Sequence, residues 1–147
     1  MNPNRCADQT VRVAWLVLAC AGWLMAQPAV VTPKIAAVRD VSDFVWDSGR
    51  SRIFASAASG VVMINPGTAQ VEDTIVSGES PDRIALSSDG AVLYAATSSR
   101  GVIDRYQVQS RTQDLVISLG PASQGQSQTV AAMIVLPGQP QRILASG

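Results

Sequence analysis

The chain has no histidine, and its two cysteines, Cys6 and Cys20, stand near the amino end of its 147 residues. Lysine is almost as scarce, with Lys34 the single example, and aromatic residues make up 5%. These gaps exclude whole chemistries. A Ser-His-Asp triad, a Cys-His dyad and a zinc held by His or Cys all need side chains that the body of the chain lacks. No glycine-rich phosphate loop is present, and a Ser-Lys nucleophile would have to draw on Lys34 in a weakly patterned lead-in. Eleven basic residues balance eleven acidic ones, without a basic patch or a row of stacking aromatics. Nucleic acid is therefore not an expected partner. Beyond residue 26 no stretch combines a 3.6-residue apolar period with helix caps, which argues against helices.

What is present begins with an address. Arg5 and Arg12 precede an unbroken apolar run of 14 residues, Val13–Ala26, which Gln27 and Pro28 end. The run fits the apolar stretch of a secretory signal and is short for a membrane span, which needs about 20 residues. The pattern predicts a signal peptide over 1–26 and a secreted or periplasmic product, whose only membrane contact is that signal. Two alternatives stay open: an uncleaved anchor running on through Val30 and Val31, and a lipid-modified Cys20 in the lipobox-like Val17-Leu18-Ala19-Cys20. Cleavage after Ala26 leaves 121 residues with no cysteine, nine basic and ten acidic residues, and Trp46 as the sole tryptophan. The 47% hydrophobic content supplies a core and excludes a disordered tail.

The remainder repeats. Asp43–Ala57, Arg83–Thr97 and Met133–Gly147 align, with Phe54, Tyr94 and Leu144 at matching positions 40 and 50 residues apart. Each is an apolar strand, a turn rich in Gly, Pro, Asp or Ser, and a second apolar strand. Further strands follow at Gly60–Ile64 and Gly101–Arg105, aligned glycine on glycine, and then at Glu72–Val76 and Asp114–Ser118. Four short strands in about 40 residues make a β-propeller blade. The expected fold is all-β, about two and a half blades of four-stranded antiparallel units behind a signal peptide. The expected organisation is a lead-in over 27–40 and a partial propeller over 41–147. Its blades fall at about 41–79 and 80–119, with half of a third at about 130–147. A closed propeller has 4–8 blades, so the chain reads as part of a longer secreted propeller.

The segment from Gly78 to Ala96 resembles the YVTN-type bacterial propeller repeat of the lactonase-like superfamily. It carries Gly78-x-x-Pro81, the apolar Ile84-Ala85-Leu86, Ser87-x-Asp89-Gly90 and Leu93-Tyr94, with Gly101-Val102-Ile103 similar to the third strand. Ala95-Ala96-Thr97 departs from the usual Val-Thr/Ala-Asn. The resemblance implies fold more than function, because its members act in varied ways.

Two loop sets of a propeller emerge on the end that commonly carries ligands. Here they hold Glu79, Asp82, Ser98 and Arg100, together with Gln124 in the Gln/Ser/Gly-rich stretch 120–129. These five are candidate ligand-face residues. No catalytic, cofactor or metal residue is assigned, and Asp47 and Asp89 read as turn residues, with Asp104 as a structural hydrogen-bonding group. Trp46 is expected to pack between blades. The leading expectation is a binding or scaffold module for a protein or carbohydrate ligand, without a cofactor. A metal-dependent lactonase-like hydrolase is the alternative, with Ca2+ held in a full-length parent. Against it, Asn65, the only asparagine after residue 26, falls in a hairpin at the other end. A cell-surface structural or adhesion protein is a further alternative.

Overall fold

The computed structural model describes residue 34 and residues 36–120 and 128–147. The expected signal segment, Cys20 and Gln124 lie outside these residues. Strands β1 (Asp43–Asp47), β2 (Arg52–Ala57), β3 (Gly60–Asn65) and β4 (Gln70–Ser77) form an antiparallel sheet in sequential order. Strands β5 (Arg83–Leu86), β6 (Val92–Thr97), β7 (Val102–Gln107) and β8 (Thr112–Ser118) form a second of the same order. Strands β9 (Ala132–Val135) and β10 (Ile143–Ser146) pair as an antiparallel hairpin. The only helical turn among the described residues is a short 3-10 piece, Ser98–Arg100.

Local chemistry sets the turns. Asp47 Oδ1 accepts the Gly49 and Arg50 amides at 2.9 and 3.2 Å. Asn65 Oδ1 does the same for Gly67 and Thr68 at 2.9 and 3.3 Å. Both close Asx-type turns between consecutive strands. In the second sheet Ser87 Oγ accepts the Val92 amide at 2.9 Å and donates to Asp89 Oδ1 at 2.5 Å. Gly90 sits there with φ of +70°, a conformation that favours glycine.

Register makes the repeat explicit. Phe54 faces Val45, Tyr94 faces Ala85 and Leu144 faces Ile134. The same side of each sheet therefore carries Val45 and Phe54, Ala85 and Tyr94, or Ile134 and Leu144. Later strands depart from the glycine-on-glycine alignment. Phe54 pairs with Met63 and Tyr94 with Arg105, which sets Val61 opposite Ile103 in the repeat. The cause is the connection between second and third strands, Ala58–Ser59 in one sheet and Ser98–Gly101, with its 3-10 turn, in the other.

The sheets stack face to face. One core joins Phe54, Val61, Ile75 and Val76 of the first sheet to Ile84, Leu93, Ala95 and Tyr106 of the second. Another joins Ala85, Tyr94, Ala96 and Ile103 to Val130, Val135 and the partly buried Met133 and Ile143. A third, smaller cluster lies on the opposite side of the first sheet. There the lead-in residues Ala36 and Val38 cover Ala55, Val62 and Ile64.

Candidate ligand-facing loops and the blade seam

The loops that enter β5 and leave β6 hold four of the five candidate residues. Asp82 Oδ2 accepts the Ser98 amide at 2.6 Å, and the Asp82 amide donates to Ala96 O at 2.8 Å. Glu79 Oε1 lies 3.2 Å from Arg100 Nη1. Arg100 Nη1 also donates to Asp104 Oδ2 at 3.0 Å, while Gln113 Nε2 donates to Asp104 Oδ1 at 2.7 Å. Two pairs thus form, Asp82 with Ser98 and Glu79 with Arg100. Arg100 is thus held between two carboxylates, Glu79 and Asp104. It straps the loop end to a carboxylate that is 1% exposed. Burial pushes the Asp104 carboxyl above its ordinary range, against the pull of Arg100. Burial also raises the Tyr106 hydroxyl, reinforced by the charges of Asp104 and Glu79. The Ser98 hydroxyl oxygen is buried with no hydrogen-bond partner among the described residues.

Polar groups that no sequence pattern marks bind one sheet to the next. Asp43 Oδ2 accepts the Ile84 amide at 2.9 Å, from the innermost strand of one sheet to that of its neighbour. The buried Ser56 hydroxyl donates to Pro81 O. At the other end, Arg50 Nη1 donates to Gly90 O at 2.9 Å and meets Asp47 Oδ2 at 2.6 Å. Asp47 is thus more than a turn residue: its carboxylate is buried and orients the arginine that crosses the seam. The second seam has its own set. Arg83 Nε donates to Ala131 O at 2.8 Å, and Tyr94 Oη to Pro140 O at 2.9 Å. Partners between 25 and 48 residues apart leave no local signature in a sequence.

The remaining carboxylates brace outer strands. Glu72 accepts from Arg52 Nε at 2.5 Å and from Asn65 Nδ2 at 2.7 Å, and these bonds hold it below the usual glutamate range, Asn65 first. Asp114 accepts from Arg105 Nε at 2.8 Å and Gln107 Nε2 at 2.6 Å, with the same direction of shift. Asp73 accepts from Arg111 Nε at 3.1 Å. Asn65 is committed to its turn and to Glu72. Among the described residues no three His, Cys, Asp or Glu side chains converge as a metal-ligand set.

Trp46 departs from expectation. It is 52% exposed, and Phe44, on the same side of β1, is 71% exposed. Both lie on the face of the first sheet that points away from the second, where no blade among the described residues covers them. Beside them a groove of about 270 Å³ runs between the lead-in and β1, lined by Ala36, Val38, Val41, Phe44, Ile53 and Ile64. A second cleft, about 430 Å³, opens at the outer rim of the first seam between Arg50, Asp73, Gln109 and Arg111 over Met63 and Val108.

Sequential four-stranded antiparallel sheets, stacked through their apolar faces and joined at their inner strands, define the chain as a set of β-propeller blades. Solved structures agree. The chain is similar to hydrazine synthase of Kuenenia stuttgartiensis, with a TM-score of 0.60 and 14% identity over 82% of this chain. It is also similar to the WD40 repeats of RRP9, at a TM-score of 0.53 and 16% identity over 72% of the chain. For U3-55K the TM-score is 0.54, with 17% identity over 72%. In each case the chain spans 32% of the length of the structure it matches. At such identities the likeness establishes the fold alone. No family model and no curated protein matches the chain.

Proposed function

We propose that the chain is part of an exported, YVTN-type propeller that acts as a binding or scaffold module without catalysis of its own. The observation that carries this reading is the use made of the acids. All nine carboxylates from Asp43 to Asp114 accept a hydrogen bond or pair with an arginine in a turn, a seam or a strand edge. Acids committed in this way stiffen the blades, whereas a hydrolase needs acids free to bind a metal or move a proton. Export rests on the Val13–Ala26 run behind Arg5 and Arg12, and family on the Gly78–Ala96 motif.

Glu79, Asp82, Ser98 and Arg100 frame the surface that meets a protein or carbohydrate ligand, and Gln124, outside the described residues, belongs to the same reading from sequence. Ca2+ enters only in a longer parent form, through residues of further blades.

The test has two arms. The purified chain is incubated with lactones with and without Ca2+, and is probed against peptide and glycan arrays. The expected result is saturable binding, weakened by replacing residues 120–129 with a short Gly-Ser linker, and no turnover. Metal-dependent lactone hydrolysis would overturn the reading. N-terminal sequencing of exported material tests the address, with Gln27 as the expected first residue.

A further inference from the structure

The turn that joins β7 to β8 repeats the turn that joins β3 to β4. Each encloses four residues inside a closing strand pair, Gln107 with Thr112 or Asn65 with Gln70. Each is closed by one amide: Arg111 N donates to Gln107 O at 2.8 Å, and Ala69 N to Asn65 O at 2.7 Å. The last residue is left-handed in both, with φ of +58° at Arg111 and +59° at Ala69. The first blade builds this turn from Pro66-Gly67-Thr68-Ala69, and the second from Val108-Gln109-Ser110-Arg111. The turn itself therefore asks for neither a glutamine nor an arginine, and its left-handed position favours glycine. Val108 packs into the core between the blades, whereas Gln109 and Arg111 stay outside it.

Both line the cleft of about 430 Å³ at the rim of the first seam, at the end of the blades away from Glu79 and Arg100. Its two walls belong to whole four-stranded sheets. Small-molecule sites span about 300–1,000 Å³, so its size suits a ligand. Its apolar lining is Met63, Ile75 and Val108. Its polar lining has more donors than acceptors. Arg50 uses Nη1 for Asp47 and Gly90 O, and its Nε and Nη2 make no hydrogen bond among the described residues. Arg111 gives Nε and Nη2 to Asp73 Oδ2, which leaves Nη1 unbonded among those residues. The Gln109 side-chain amide has no partner among them either.

We propose that this cleft binds the free carboxyl end of a peptide whose last residue is aliphatic. The carboxylate accepts from Arg50 and Arg111. The peptide group meets the Gln109 amide, which both donates and accepts. The aliphatic side chain covers Met63 and Val108. Charge selects a monoanion. Asp47 and Asp73 already balance the two arginines, so a phosphate dianion would bring a second charge for Asp73 to repel. The cleft is separate from the loop surface at the other end of the blades, and neither site depends on the other.

The test titrates the isotope-labelled full chain with N-acetyl-leucine and follows the Gln109 side-chain amide by nuclear magnetic resonance. A saturable shift is expected there. N-acetyl-leucinamide lacks the carboxylate and isocaproate lacks the peptide group, and each is expected to bind at least about fivefold more weakly. This comparison needs no variant. The double variant Q109G/R111A takes the residues of the first blade's turn at both positions, so it is expected to fold, with circular dichroism as the check. Its affinity is expected to fall by about tenfold or more. D73N keeps an acceptor for the Thr74 amide and removes the competing charge, so tighter binding is expected. Weaker binding by D73N would overturn the proposal, by showing that Arg111 is only a brace between blades. An unmoved Gln109 amide, equal affinity for the acid and its amide or for isocaproate, tighter binding of inorganic phosphate, or unchanged affinity in folded Q109G/R111A would each overturn it as well.

Discussion

Arg100 Nη1 stands 3.0 Å from Asp104 Oδ2, and it joins a half-exposed loop residue to one of the most deeply buried carboxylates in the molecule. Burial raises the Asp104 carboxyl above its ordinary 3.8 despite this arginine, while the unfolded chain titrates near that ordinary value. A raised folded value means that ionisation disfavours the fold. The contribution of Asp104 is complete below 3.8 and declines as pH rises through its folded value. Asp104→Asn removes the titration. The stability of the parent relative to this variant is expected to fall between acid and neutral pH in denaturant melts. A difference that is flat, or that grows with pH, would show that Arg100 outweighs burial.

Asp43 ties the first two blades together through the Ile84 amide. Asp43→Ala leaves a half-buried donor without its acceptor, at a cost of about 1–2 kcal/mol. The expected outcome of urea unfolding is a lower midpoint. Asp43→Asn, whose amide oxygen can still accept, is expected to recover part of the loss.

Tyr94 is 1% exposed and donates to Pro140 O at 2.9 Å across the second seam. Tyr94→Phe keeps the ring and loses this bond, for an expected loss of about 1 kcal/mol. Tyr94→Ala also empties the ring's place in the core and is expected to cost about 3–5 kcal/mol. Thermal melts of the pair separate the bond from the packing.

Gly90 adopts φ of +70°, and a Cβ there would lie 2.6 Å from Arg50 Nη1 and 3.1 Å from Asp47 Oδ2. Gly90→Ala is therefore expected to strain the turn and displace the Arg50 bridge, with a loss of about 1–3 kcal/mol. Chemical denaturation checks this. Gly101→Ala is the comparison: its φ is +64° but its Cβ meets nothing within 4 Å, so backbone strain acts there alone and the smaller loss is expected.

Much of the fold was legible because blades are built from local rules. Alternating apolar residues gave the strands, Asp47, Asn65 and Asp89 with their glycines gave the turns, and the spacing of Phe54, Tyr94 and Leu144 gave the stack. Local pattern could not give the register after the 3-10 turn, because Gly101 looks like Gly60 until the length of the connection is known. Trp46 reads from its apolar strand as a residue packed between blades, yet it lies on the face that points away from the second sheet. Its exposure depends on whether another blade lies against it, and no residue near it carries that information. The candidate loop residues were legible one at a time. Their pairing was not, since Glu79, Arg100 and Asp104 come together only when the first two strands of a blade lie beside the third.

The central claim is that the first two sheets stand side by side as propeller blades with their inner strands in contact. The most direct measurement is the nuclear Overhauser contact between the Ile84 amide proton and the Asp43 β protons in isotope-labelled chain. The carboxylate lies 2.9 Å from that amide nitrogen, so a clear cross-peak is expected, and with it slow exchange of the Ile84 amide. Its absence in a folded sample, with the Ile84 amide exchanging freely, would contradict the blade arrangement.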